Sequence, residues 1–389
     1  MGIIRDGAVL IRNGIIEELG LTRRVENLAG ARNALEVNAV GRIVMPGFVD
    51  SHTHLAFPPS GASSAGCDAG VRAVMTVSPK LLSARARVHL DAMVRHGSTT
   101  VEAKTGCGDN LSAEVKVLRS LAALRTTPID LASTYLLRTV VNGGPIGDLE
   151  WIVEATRATR EFLPLIQRRG LAFCADLEWE PNPKLYPTFL RYLEVARELG
   201  LKRKVQDHHE SPSGSVLAAV ENGVLSIDHF MRHDALEMTM LSRGPTILTL
   251  TPTTLLFGDG RAAPARALVD SGAAVALASN FNPVESPILS MQTVIWLACR
   301  HLHLRPAEAI AASTINGAHA LGIADRVGSL EAGKAADLVM LNMGDYSEFG
   351  HRLGANAIHL VMKRGEFIYR EGRVGPPVKS VTERPSGTP

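Results

Sequence analysis

The chain is most informative first in what it lacks. No uninterrupted apolar run of about 18 residues occurs, so no membrane span is expected. The opening Met1-Gly2-Ile3-Ile4-Arg5-Asp6 reaches charge too early for a secretory signal. It also has neither Ser nor Thr at position 6, which argues against N-myristoylation. Cysteine is sparse: Cys67, Cys107, Cys174 and Cys299 are scattered over 389 residues without a C-x-x-C pair. They read as reduced thiols of a cytoplasmic protein rather than a disulfide framework. A net charge of only +2 gives no electrostatic footprint for nucleic acid or an anionic membrane. Aromatics make up 5% against 46% hydrophobic residues, so the core must be built from aliphatic side chains.

What is present is organised in two styles. Ala8–Arg12, the turn Asn13-Gly14 and Ile15–Leu19 form a strong hairpin signal. A second β-rich stretch closes the chain, with strands at 336–341, 357–362 and 367–370 and a turn at Lys363-Arg364-Gly365-Glu366. The two ends, 1–45 and 326–389, are therefore expected to fold together as a small β-sandwich. Between them, 46–325 alternates short apolar strands with helix-length amphipathic segments. Strands are expected at the His52 segment, 99–104, 129–135, 172–177, 204–206, 225–229, 246–250 and 274–280. Helices are expected at 81–96, 111–125, 150–169, 187–199 and 305–320. Eight such units fit a (β/α)₈ TIM-type barrel, whose site lies at the C-terminal ends of its strands.

Several polar residues fall at such ends. Gly47-Phe48-Val49-Asp50-Ser51-His52-Thr53-His54 runs a buried strand into two histidines one residue apart, and that spacing points both imidazoles to one side. This is how a strand offers two nitrogens to one metal ion. Lys104, Gln206, His229 and Asn280 end other strands. Lys104 reads either as a buried cation for an acidic ligand or as an ion-pair partner of Glu102 or Asp176. Glu178 and Glu180 end the fourth strand as candidate acid/base groups or as exposed loop charge. His301 and His303 read as surface residues.

The segments 46–55, 99–106, 226–229, 277–283 and 333–339, in that order, resemble the amidohydrolase superfamily and within it the imidazolonepropionase family. The resemblance spans nearly the whole chain. It implies hydrolysis of a cyclic amide or related C–N bond by water on one divalent metal, zinc or iron, at the barrel mouth. It implies a small-molecule substrate and a homodimer. Carried over by position, the metal-site residues are His52, His54, Gln206 and Asn280. His229 and Asn280 take the catalytic positions, and Lys104, His209 and Asn282 the substrate-contacting ones. Thr139 stands at the family's strand-3 histidine, beside an unexplained Arg138, and Cys107 stands at a family tyrosine. The family's arginine-bearing loop is replaced by Pro58–Gly66.

Two of these positions carry neutral amides. Gln206 stands where the family has a histidine and Asn280 where it has an aspartate. An amide is a poorer zinc ligand than imidazole and cannot act as a base near neutral pH. Three readings follow: a metal-assisted hydrolase, an inactive barrel that binds a small molecule or partner, and rewired hydrolysis through His208, His209 or Glu180. Separately, His208 and His209 read either as suppliers of the missing metal-site nitrogen through a one- or two-residue register shift or as loop histidines.

Overall fold

The computed structural model describes residues 2–57, 74–106, 111–138, 140–141, 144–145, 147–179, 182–207, 215–231, 235–258, 260–283 and 285–372. Its strands in chain order are β1 (Gly7–Arg12), β2 (Ile15–Leu21), β3 (Ile43–Pro46), β4 (Phe48–Asp50), β5 (Ser98–Lys104), β6 (Asp130–Leu137), β7 (Val140–Val141) and β8 (Gly144–Pro145). They continue as β9 (Cys174–Leu177), β10 (Lys202–Gln206), β11 (Ser226–Asp228), β12 (Ile247–Leu250), β13 (Val275–Leu277), β14 (Leu338–Leu341), β15 (Ile358–Lys363) and β16 (Glu366–Arg370).

Eight parallel strands follow one another as β4-β5-β6-β9-β10-β11-β12-β13. A parallel bridge between Thr53 and Phe281, with His54 N–H donating to the Phe281 carbonyl at 2.7 Å, brings the two edges together. The barrel forecast by the strand–helix alternation is therefore present. Each strand is short and apolar on its outer face, where helices such as Pro79–Arg95 and Tyr186–Glu198 cover it. Side chains of the inner face include Glu102, Lys104, Asp176, Lys204 and Asp228, all buried.

Close backbone packing has a cause in sequence. A Cβ on Gly317 would stand 2.7 Å from the Val49 carbonyl, so only glycine lets that helix lie against β4. The expected helix 305–320 divides into Pro306–Ala312 and Ile315–Ala320 around Thr314, whose backbone leaves the helical region at φ −130°, ψ −92°. The expected helix 150–169 is interrupted by a π-turn at Ala158–Phe162, just before Pro164. Proline cannot donate to the fourth residue back, and the wider turn accommodates it.

The ends of the chain form β1–β2 and an antiparallel sheet ordered β16-β15-β14-β3. The turns Asn13-Gly14 and Arg364-Gly365 both have positive φ at two successive residues, the geometry that two-residue hairpins require. Lys363 ties this sheet to the barrel: its ammonium lies 2.7 Å from Asp130 of β6 and 2.6 Å from Asp337. No helix among the described residues is long and apolar enough to cross a membrane.

Candidate active site at the barrel mouth

The lumen is built in layers because alternate residues of each strand face inward. One layer is an ion network. Lys104 Nζ lies 2.5 Å from Asp176, 2.9 Å from Asp228 and 3.3 Å from Glu102. Lys204 Nζ lies 2.7 Å from Glu102 and 3.0 Å from Asp228, and donates to the Ser51 carbonyl at 2.8 Å. All five side chains are fully buried. Burial disfavours the Lys104 charge, but Asp176, Asp228 and Glu102 more than offset it and hold the pKa well above the usual lysine value. Burial likewise opposes the Asp228 charge, and Lys104 and Lys204 override it, so the carboxyl stays ionised far below its ordinary range.

His52 rests on this layer. Its Nδ1 lies 2.7 Å from Asp228 Oδ2, while Nε2 is buried and has no hydrogen-bond partner among the described residues. A carboxylate against Nδ1 keeps the proton there and leaves a lone pair on Nε2, the arrangement that supports a metal-ligating histidine. The ring centroid of His52 is 5.3 Å from His54 and 4.6 Å from His229. The structure thus brings His52, His54 and His229 into one cluster.

His229 and Asn280 both adopt positive φ, +60° and +51°, at the ends of β11 and just past β13. That conformation turns each side chain out of strand alternation. His229 Nδ1 lies 3.1 Å from the Thr251 hydroxyl. Gln206 donates its Nε2 to Asp176 at 2.9 Å, so the amide is built into the ion network. His54, Arg138, Glu178, Gln206, His229 and Asn280 all line a cavity of about 530 Å³, and Asn282 stands at its rim with Nδ2 3.2 Å from Glu285. Lys104 does not reach this cavity. Of its two expected settings, the ion pair is the one formed, extended to Asp228.

His52, Glu102 and Asp228 have potential ligand atoms within 4.8 Å of one another. Two lysine ammoniums already neutralise both carboxylates, so an added cation there would face like charge. The donors better placed for a metal are His52 Nε2, His54 and the amide oxygens of Gln206 and Asn280. By donor chemistry this set offers two imidazoles and two neutral amide oxygens, with no anionic member.

His208, His209, Thr139, Cys107, Glu180 and the loop Pro58–Gly66 lie outside the described residues. His301 and His303 are exposed, as expected. Sequence reasoning missed Lys204. Its signal was available, since it stands two residues before Gln206 and so shares the inward face.

The imidazoles also carry a pH consequence. Burial first, then the charges of Arg138 and Lys104 and neighbouring His229, push His54 down from 6.5 to about 3. Burial, Lys104 and His229 likewise push His52 well below 6.5, against the opposing pull of Asp228. Below pH 6.5 the unfolded chain thus binds more protons than the folded one, and stability must fall as pH drops toward 3. Melting temperatures from pH 7 to pH 4 should decline, and decline less in His54→Gln. An identical slope in the variant would contradict the assignment.

Residues 194–368 match the amidohydrolase family model. The chain is 36% identical to an imidazolonepropionase of Geobacillus kaustophilus, over 96% of this chain and 92% of that protein. It is also 36% identical to an imidazolonepropionase of Porphyromonas gingivalis, over 93% and 89% respectively. Among solved structures, a zinc complex of atrazine chlorohydrolase from Arthrobacter aurescens superposes with a TM-score of 0.73 at 18% identity. That match covers 97% of this chain and 93% of the other.

Proposed function

The chain belongs to the amidohydrolase superfamily, in its imidazolonepropionase-like branch, and from that premise we propose that it hydrolyses a cyclic amide or related C–N bond of a small molecule at the barrel mouth. The observation that carries this reading is the buried Nε2 of His52, which has no hydrogen-bond partner among the described residues, on a ring held by Asp228 and packed against His54 and His229, both of which line the cavity.

His52 and His54, with the amide oxygens of Gln206 and Asn280, would hold a zinc or iron ion. Such an ion supplies Lewis-acid polarisation of water or of a carbonyl. The protein's own residues do the rest. Asp228 fixes the His52 tautomer, and the two lysines keep Asp228 ionised. His229, held against Thr251, faces the cavity and can donate to an oxygen that gains charge as the carbonyl is attacked. The apolar cavity wall at Phe57, Leu136 and Phe230 limits water around the substrate.

The test is direct. Purified protein supplied with zinc or ferrous iron should open the ring of imidazolonepropionate or of a member of a lactam and hydantoin panel, followed by loss of ring absorbance and by mass. No ring opening on any of them would overturn the hydrolase reading. A second reading is favoured by Gln206 and Asn280 themselves: a barrel that binds its ligand without turning it over. Ligand-induced thermal stabilisation without product would select it.

A further inference from the structure

Asn280 cannot accept a proton, yet hydrolysis of a C–N bond requires a base that does. Glu178 stands just past β9, two residues beyond Asp176, so both side chains face the lumen, with Glu178 one step nearer the mouth. Glu178 forms a parallel bridge with Gln206, which extends the barrel by one residue there. Its Oε1 accepts from Arg138 Nε at 3.0 Å, from the strand end next to it. Glu178 is 3% exposed and lines the same cavity as His54 and His229. The other acids along that cavity are placed differently. Glu285 is exposed at the rim beside Asn282, and Asp207, 5% exposed, lines the cavity from the residue just past β10, whereas Glu178 is held by Arg138.

We propose that Glu178 is the general base of this site, aimed by Arg138. The inference rests on the hydrolase reading above. Water oxygen forms a bond to the amide carbon, the carbonyl π pair moves onto oxygen near His229, and the water proton passes to the Glu178 carboxylate. On collapse the C=O re-forms, the C–N bond breaks, and the same proton moves from Glu178 to the leaving nitrogen. The carboxylate is regenerated, and no further reactant is consumed. Arg138 acts as a positioning residue that holds the carboxylate against the cavity wall. This pair gives a role to an arginine that the sequence left unexplained.

The experiment compares wild type with Glu178→Gln, Glu178→Asp and Glu178→Ala on imidazolonepropionate and the lactam and hydantoin panel, with melting temperature as the folding check. Glu178→Gln should lower kcat by about 100- to 10,000-fold with little change in KM. Glu178→Asp should lose less. Glu178→Ala should recover part of its turnover when formate is added, which a merely structural carboxylate would not allow. Should Glu178→Gln fail to fold, formate recovery in Glu178→Ala and graded loss in Glu178→Asp decide the matter, and absence of both overturns the proposal. Wild-type turnover with kcat of Glu178→Gln within about threefold overturns the assignment of Glu178 alone. No turnover by any form overturns the hydrolase reading and this one with it.

Discussion

Replacing Gln206 by His and Asn280 by Asp together is expected to raise zinc affinity by about a thousandfold or more. Structural zinc sites bind with about 10–16 kcal/mol shared among four ligands, roughly 3 kcal/mol each, and each 1.4 kcal/mol is a factor of ten. Here the imidazole side of a site is preorganised, with His52 Nε2 already unpartnered among the described residues and Nδ1 already held by Asp228. What the wild-type set lacks is one imidazole and one negative charge. The double variant restores both at two strand ends that already face the same cavity. Competition for zinc against a chromophoric chelator measures the change, and each single variant should gain less than the pair. If the double variant binds no more tightly than the parent, Gln206 and Asn280 do not stand at ligand positions.

The second large effect lies beneath the site. Lys104→Met should destabilise the protein by about 3–5 kcal/mol, because removing one member of a buried ion cluster strands the others. Asp228 and Glu102 would then share Lys204, and Asp176 would be left with the neutral donors Gln206 Nε2 and Leu177 N–H, all three carboxylates at zero exposure. The tightly held Lys104 charge is what makes that loss costly. Neutralising one acid alongside, as in Lys104→Met with Asp176→Asn, should recover part of the stability. Urea unfolding of the three forms tests this coupling. A single variant within about 0.5 kcal/mol of wild type would mean that the network does not act as a unit.

Much of this architecture was legible in the sequence, for identifiable reasons. The barrel strands announced themselves as short apolar runs between amphipathic helices, and β5, β6 and β12 lie within two residues of their expected bounds at each end. Strand ends placed His52, His54, Gln206, His229 and Asn280 around one mouth because parallel barrels put every such end on one face. Other features depended on information no local pattern carries. The partner of His52 is Asp228, 176 residues away, and strand spacing alone does not choose among the acids that enter the lumen. Lys204 was passed over because lysine inside a barrel is unusual unless acids meet it, and those acids come from β5 and β11. The positive φ of His229 and Asn280 likewise depends on how the chain leaves each strand, and composition does not encode it.

The division of labour that emerges is physical. The lysine–carboxylate layer fixes the ring of His52, the neutral imidazoles and amides present donors, and the Arg138–Glu178 pair brings the carboxylate that the amide at position 280 does not supply. Its central claim is that the donor set is complete in geometry and deficient in charge, so that a divalent ion is held weakly. The most direct test is the zinc and iron content per chain of purified wild-type protein after exhaustive dialysis without chelator, measured by elemental analysis beside the Gln206→His, Asn280→Asp variant. The account predicts well under one metal per wild-type chain and close to one per variant chain. About one metal retained by the wild type would contradict it.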